Sequence, residues 1–277
     1  MTYTTIWQHL SKQESVINLK DLRYWTHEQC LAGRTALQFL SWIPVGQLPN
    51  PDTQLLGKSV AWYPAVGLLL GLILGLASVV VTTLFNDWIS AALILALWVW
   101  LTGALHLDGL ADSADAWLGG LGSKARTLTL MKDPTSGPIA IATLILLLFL
   151  KLTCLHALLQ AEYNWVILWS LIFARCNAVL LLIHTPYVRE KGLGANLSEV
   201  LSKKACYVVI SFFGFISLLT LGVTSVFSIC VSVIALLSLR HLMLRRLEGC
   251  TGDTLGALIE LSETLILLSL VACLVSL

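Results

Sequence analysis

The chain has 277 residues, 57% of them hydrophobic and only 12% charged, and its mean hydropathy is +0.83. An ordinary soluble domain is about a quarter charged, so a water-soluble globule is excluded and a multi-span membrane protein is the expectation. The net charge of +1 excludes a strongly basic nucleic-acid binder, and the seven Cys, with no CxxC pair, read as small apolar residues rather than as a disulfide or zinc framework.

Residues 1–35 are polar and aromatic, with Trp7, His9, Lys12 and Trp25 among them, and no apolar run there reads as a secretory signal. They are expected to form an arm, soluble or lying on the membrane surface, ahead of one polytopic domain over 36–277. Ser59–Phe85 is the first charge-free run. Its Gly67, Gly71 and Gly75, spaced by four, make a small-residue face for close helix packing. Trp88–Leu105 is a shorter second run. Pro138–Leu159 carries only Lys151, and Trp165–His184 only Arg175. Ala205–Leu239 is uncharged throughout. As one helix it would be about 52 Å long against about 30 Å of hydrocarbon, so two spans turning near Thr220–Ser225 fit better. Thr254–Leu277 closes the chain. The fold class predicted is an all-α integral membrane protein, a polytopic bundle of about seven transmembrane helices.

The basic residues sort to one side of these spans. Fifteen of the seventeen Lys and Arg fall before span 1 or in the loops after spans 2, 4 and 6; the other two are Lys151 and Arg175. The opposite turns carry only Asp87 and Glu162. The positive-inside rule makes the charged side cytoplasmic, which predicts a multi-pass protein of the cytoplasmic (inner) membrane, N-terminus and functional loops inside. No repeat at a fixed period suggests an inverted-repeat transporter.

Chemistry is expected on that side. In the 106–137 loop, Asp108, Asp112 and Asp115 recur at i, i+4 and i+7, one narrow helical stripe. Three like charges there are tolerable with a cation between them, and hard carboxylate oxygens suit Mg²⁺, which keeps part of its water and binds substrate phosphate. The alternative is a solvated acidic face. His106 points away from the stripe and reads as a packing residue. Gly119 and Gly120, followed by Lys124 and Arg126, could cradle an anion or form a plain turn. Lys132 could hold a phosphate. Asp133 reads as a base, a metal ligand or a turn residue.

Arg175, in mid-span, needs a phosphate or a carboxylate partner. Arg189 and Lys191 lie beside Gly192 and Gly194, an anion-binding or merely anchoring arrangement. Asp253 could cap the last span, join the aspartate stripe or pair with Arg175. Glu260 and Glu263, dipping into that span, need cations or protons. No Ser/His/Asp or Cys/His nucleophile stands out. Metal-assisted phosphoryl or phosphodiester transfer is the chemistry such a set serves best.

These residues carry a family resemblance. HLDGLADSADAW and LMKDPTSGPIA resemble the signature of the cobalamin synthase (adenosylcobinamide-GDP ribazoletransferase) family. FLSWIPV, AWYPAVGLLLGLILG, FARCNAVLLLIHTPYVREKGLG and EGCTGDTLGALIELSE follow in the family's order, covering about residues 36–270. The resemblance implies a Mg²⁺-dependent transferase. It would join adenosylcobinamide-GDP to α-ribazole, or to its 5′-phosphate, and release GMP in the last steps of nucleotide-loop assembly. It implies Asp108, Asp112 and Asp115 as metal ligands. Lys132, Asp133 and Asp253, which match the family's motifs, would be catalytic, and Arg175 joins them from its mid-span position alone. Read from residue type and spacing and not from the resemblance, Gly119, Gly120, Lys124, Arg126, Arg189 and Lys191 are the candidate phosphate binders. The ribazole 5′-hydroxyl would attack the cobinamide-linked phosphorus, with Asp133 or Asp253 as base. The implied partners are those two small molecules and the lipid bilayer, without nucleic acid; a homo-oligomer and the other nucleotide-loop enzymes stay open. Trp42, Pro134 and Ala116 depart from the family pattern, and none of these removes a carboxylate.

Two other readings compete. A CDP-alcohol phosphotransferase also sets aspartates around a DG, but expects Ala-Arg next and two further Asp after the Gly pair; here Ala111 precedes Asp112, and no Asp follows Gly120 until Asp133. A transporter lined by Arg175, Glu260 and Glu263 sits poorly with long loops on one side only.

Overall fold

The computed structural model describes residues 19–46, 48, 52–189 and 200–275, with side chains from Thr26 onward. Lys191 and most of the N-terminal arm lie outside the described residues. The helices are α1 (Leu19–Leu40), α2 (Thr53–Ser59), α3 (Tyr63–Leu84), α4 (Asp87–Thr102), α5 (Leu105–Gly119), α6 (Lys124–Leu130), α7 (Pro138–Gln160), α8 (Ile167–His184), α9 (Lys203–Leu221), α10 (Val223–Leu247) and α11 (Gly252–Leu274). No strand occurs among the described residues; one isolated parallel bridge joins Tyr187 to Cys250.

Six helical stretches are long and apolar enough to cross a membrane, and a seventh arises if α4 and α5 count as one broken span. The apolar runs explain this directly. In lipid every backbone polar group must be satisfied within the segment, and a helix does so. The long run after Ala205 divides at Gly222, whose φ of +57° ends α9 and starts α10. The second run differs from the expected continuous span. Gly103 and Ala104 both adopt left-handed φ, and the chain turns by 86° between α4 and α5. Hence α4 supplies a short apolar span, and α5 carries the aspartates away from it.

Burial ranks the spans. In the most apolar window of each span, 83% of α8 is buried, against 17% for α9, so α8 is the axis of the bundle and α9 its edge. The face of Gly67, Gly71 and Gly75 on α3 packs on α8: a Cβ at Gly71 would lie 2.5 Å from Leu168 Cβ. Helix α11 packs against α5, α7, α8 and α10. It thus connects the interior to the loop end where α5 lies. α1 continues through residue 35 without a break and is tied to the bundle. There Lys58 meets Glu28 at 2.8 Å, and Trp62 Nε1 donates to Gln29 at 3.1 Å.

Candidate active site

The site is built where the N-terminus of α11 meets α5. Thr251, not Asp253, caps α11: its hydroxyl accepts from Thr254 N, and its own N–H donates in return to the Thr254 hydroxyl. Asp253 is thereby free of the capping role and sits in the first turn, where the helix dipole favours an acid. Gly109 allows the two helices to touch, since a Cβ there would lie 2.8 Å from Asp253 O. This close approach brings Asp108 and Asp253 to the wall of one cavity of about 250 Å³.

The segment after α8 is stitched to the same place. Val188 N donates to Cys250 O and Cys250 N to Pro186 O, both at 2.9 Å. This pairing presents Tyr187 to the cavity and brings Arg189 Nη2 to 2.5 Å from Asp253 Oδ2. Asp253 therefore pairs with Arg189, and the pairing with Arg175 that the sequence allowed does not form. Burial, then the charges of Asp108 and Asp253, push Asp112 on α5 up to about 6, against the opposing pull of Arg189. Burial disfavours the charged form of the carboxyl, and the neighbouring carboxylates add to that.

Asp115 faces elsewhere. Its carboxylate accepts from Gly137 N and, at 3.0 Å, from Ala140 N, so it caps the start of α7. Gly137 fits against it closely, for a Cβ there would lie 2.8 Å from Asp115 Oδ1. The Lys132–Asp133 segment is held at both ends, by this cap and by Met131, which is buried with Ala116 and Leu247 and touches Thr251 through its sulfur. Both side chains are exposed. Thr135 donates to Asp133 from its hydroxyl and its N–H, which holds that carboxyl below its usual range.

The glycine turn lies on the outer side of α5. Gly120 is packed, not open: a Cβ would lie 2.3 Å from Thr127 Oγ1. Lys124 pairs with Glu248 at 2.5 Å, and Arg126 is exposed. Arg175 lies in the interior, fully buried, and its guanidinium bonds Glu263. Of the two partners that the sequence allows it, the structure holds the carboxylate. Lys151 completes that cluster, 2.6 Å from Glu260 and also bonded to Glu263, with its ammonium 4.6 Å from the Trp98 ring. His106 is buried, in keeping with a packing role.

Among the described residues no three His, Cys, Asp or Glu groups converge as a ready metal cage. The donor chemistry still fits Mg²⁺ in its usual manner, through one or two carboxylates completed by water and substrate phosphates. Asp108 and Asp112, about one turn apart on α5, are the residues that would hold it. The walls missed by sequence reasoning are Phe39, Tyr63 and Tyr187. Their aromatic character was visible, but their convergence depends on three separate elements.

A bundle of apolar helices with carboxylates and one arginine gathered at one end defines a polytopic membrane protein with a polar site where its spans leave the bilayer. Comparison with known proteins sharpens the class. The model of the Cobalamin-5-phosphate synthase family matches residues 32–271, and the chain belongs to that family. Among its relatives, proteins named adenosylcobinamide-GDP ribazoletransferase share 46% identity in Pseudomonas fluorescens, 42% in Acinetobacter baumannii and 47% in Pseudomonas putida. Each alignment covers 85% of this chain and 95–96% of the relative. No solved structure matches the chain significantly.

Proposed function

We propose that the protein joins adenosylcobinamide-GDP to α-ribazole, or to its 5′-phosphate, and releases GMP. The observation that carries this reading is the carboxylate cluster at a cavity, in a chain that matches the family over nearly its whole length. A ribose oxygen bonds to the phosphorus next to cobinamide, the P–O–P link to GMP breaks, and the hydroxyl proton passes to a carboxylate. The 5′-hydroxyl expected from the resemblance cannot serve for both acceptors, because the 5′-phosphate blocks it. A secondary ribose hydroxyl is the group common to both.

Asp253 is favoured over Asp133 as proton acceptor, since Asp253 lines the cavity while Asp133 is exposed and held by Thr135. Mg²⁺ on Asp108 and Asp112 would neutralise diphosphate charge and orient it. Lys132 is a candidate for the leaving phosphate. The sidedness of basic residues supports a cytoplasmic-membrane protein with its loop end inside.

The test is protein purified into lipid, supplied with adenosylcobinamide-GDP, α-ribazole and Mg²⁺. GMP and the joined cobalamin are expected in equal amounts, and a metal chelator should stop both. Chelation without effect would remove Mg²⁺ from the account.

A further inference from the structure

We infer that the cavity beside Asp108 and Asp253 is the subsite of the nucleoside acceptor: its aromatic base lies on the apolar wall and its ribose hydroxyls face the two carboxylates. This rests on the reaction proposed above and adds which part of which substrate the cavity takes.

Three pieces must be housed: a corrin with its amide side chains, a guanosine diphosphate and a benzimidazole riboside. Size removes the first, since a corrin with its side chains is far larger than a cavity of about 250 Å³. Polarity removes the second. The diphosphate would lie with Mg²⁺ on Asp108 and Asp112 at the border of the cavity, and guanine would bring several polar edge groups to an apolar wall that offers them few partners.

The third piece matches. Phe39, Leu56, Tyr63 and Leu182 supply an apolar wall. The rings of Phe39 and Tyr63 are nearly parallel, 18° apart with centroids at 6.0 Å. A dimethylbenzimidazole is flat, uncharged and without an N–H once joined to ribose, so it needs no partner from that wall. The ribose hydroxyls are donors, and carboxylates are acceptors. The same seat puts a hydroxyl beside the Asp253 carboxylate that would take its proton, at the border with the cluster assigned to the diphosphate.

The test uses the whole protein in lipid, with Phe39 as the probe because it sits on α1, outside the acid cluster. Phe39→Ala should raise the KM for α-ribazole about tenfold, while the KM for adenosylcobinamide-GDP stays within about twofold. Equilibrium binding of labelled α-ribazole without Mg²⁺ or co-substrate should weaken by a similar factor, which reads the subsite apart from catalysis. In the wild-type protein, ribosides with a base one ring larger than dimethylbenzimidazole should compete about tenfold worse than α-ribazole, a comparison free of folding effects. A changed KM for adenosylcobinamide-GDP with unchanged α-ribazole binding would overturn the assignment and give the cavity to the guanosine half. If the wild type released no GMP yet Phe39→Ala weakened α-ribazole binding, the reaction would fall while the subsite stood.

Discussion

Helix α11 carries two sets of charge with opposite bookkeeping. Toward the interior, Glu260 and Glu263 meet Lys151 and Arg175, two acids against two bases, all buried. At the loop end, Asp253 stands with Asp108 and Asp112 against Arg189, three acids against one base among the described residues. Unpaired charge inside a bundle is expensive, so the inner set balances itself and ties α7, α8 and α11 together. The outer set does not balance among the described residues, and burial first, then the neighbouring Asp108 and Asp253, raise Asp112. Balance marks the part that holds the fold, and surplus marks the part that awaits a cation and a phosphate.

The comparison breaks most visibly at Glu263. Glu263→Leu strands Arg175 in the interior, leaves Lys151 with Glu260 alone, and should cost about 3–5 kcal/mol, read as lost folded protein or a lowered unfolding temperature in detergent. Lys151→Met and Glu260→Gln together, in a chain that retains Glu263, should cost far less, because one charge goes from each side and Arg175 keeps Glu263. Asp108→Asn and Asp112→Asn should do the reverse. GMP release should fall about a hundredfold or more while the unfolding temperature holds, since a like-charge contact is relieved. Full activity of both variants at low Mg²⁺ would end the metal assignment. Asp115→Ala should lose about 1 kcal/mol through the α7 cap, and Asp115→Asn, which can still accept those N–H bonds, less. Lys124→Ala, which breaks only an exposed pair with Glu248, should leave stability unchanged in the same melt.

Much of this was legible before any coordinates. Charge-free runs located the spans, and the length of the run after Ala205 demanded the turn that Gly222 makes. The i, i+4, i+7 stripe put Asp108, Asp112 and Asp115 on one helix, which α5 is. What stayed hidden depends on contacts between helices. A stripe says that three acids share a face, not that the N-terminus of α7 takes one of them, so Asp115 was grouped with the metal ligands while its carboxylate caps a neighbour. Two intramembrane cations and two acids signalled pairing by count alone, but which joined which required the packing of α7, α8 and α11. The run Trp88–Leu105 looked like one span because its break, at Gly103 and Ala104, carries no charge to betray it. The aromatic wall was invisible for a similar reason: Phe39, Tyr63 and Tyr187 come from distant segments and form a surface only when folded.

The most direct measurement compares initial rates of GMP release in lipid for three proteins: wild type, Asp108→Asn, and the charge-balanced Lys151→Met/Glu260→Gln. The account predicts an active wild type, an Asp108→Asn protein about a hundredfold slower at unchanged unfolding temperature, and a balanced double variant within about fivefold of wild type. A wild type that releases no GMP, or an Asp108→Asn protein that keeps the wild-type rate, would contradict it.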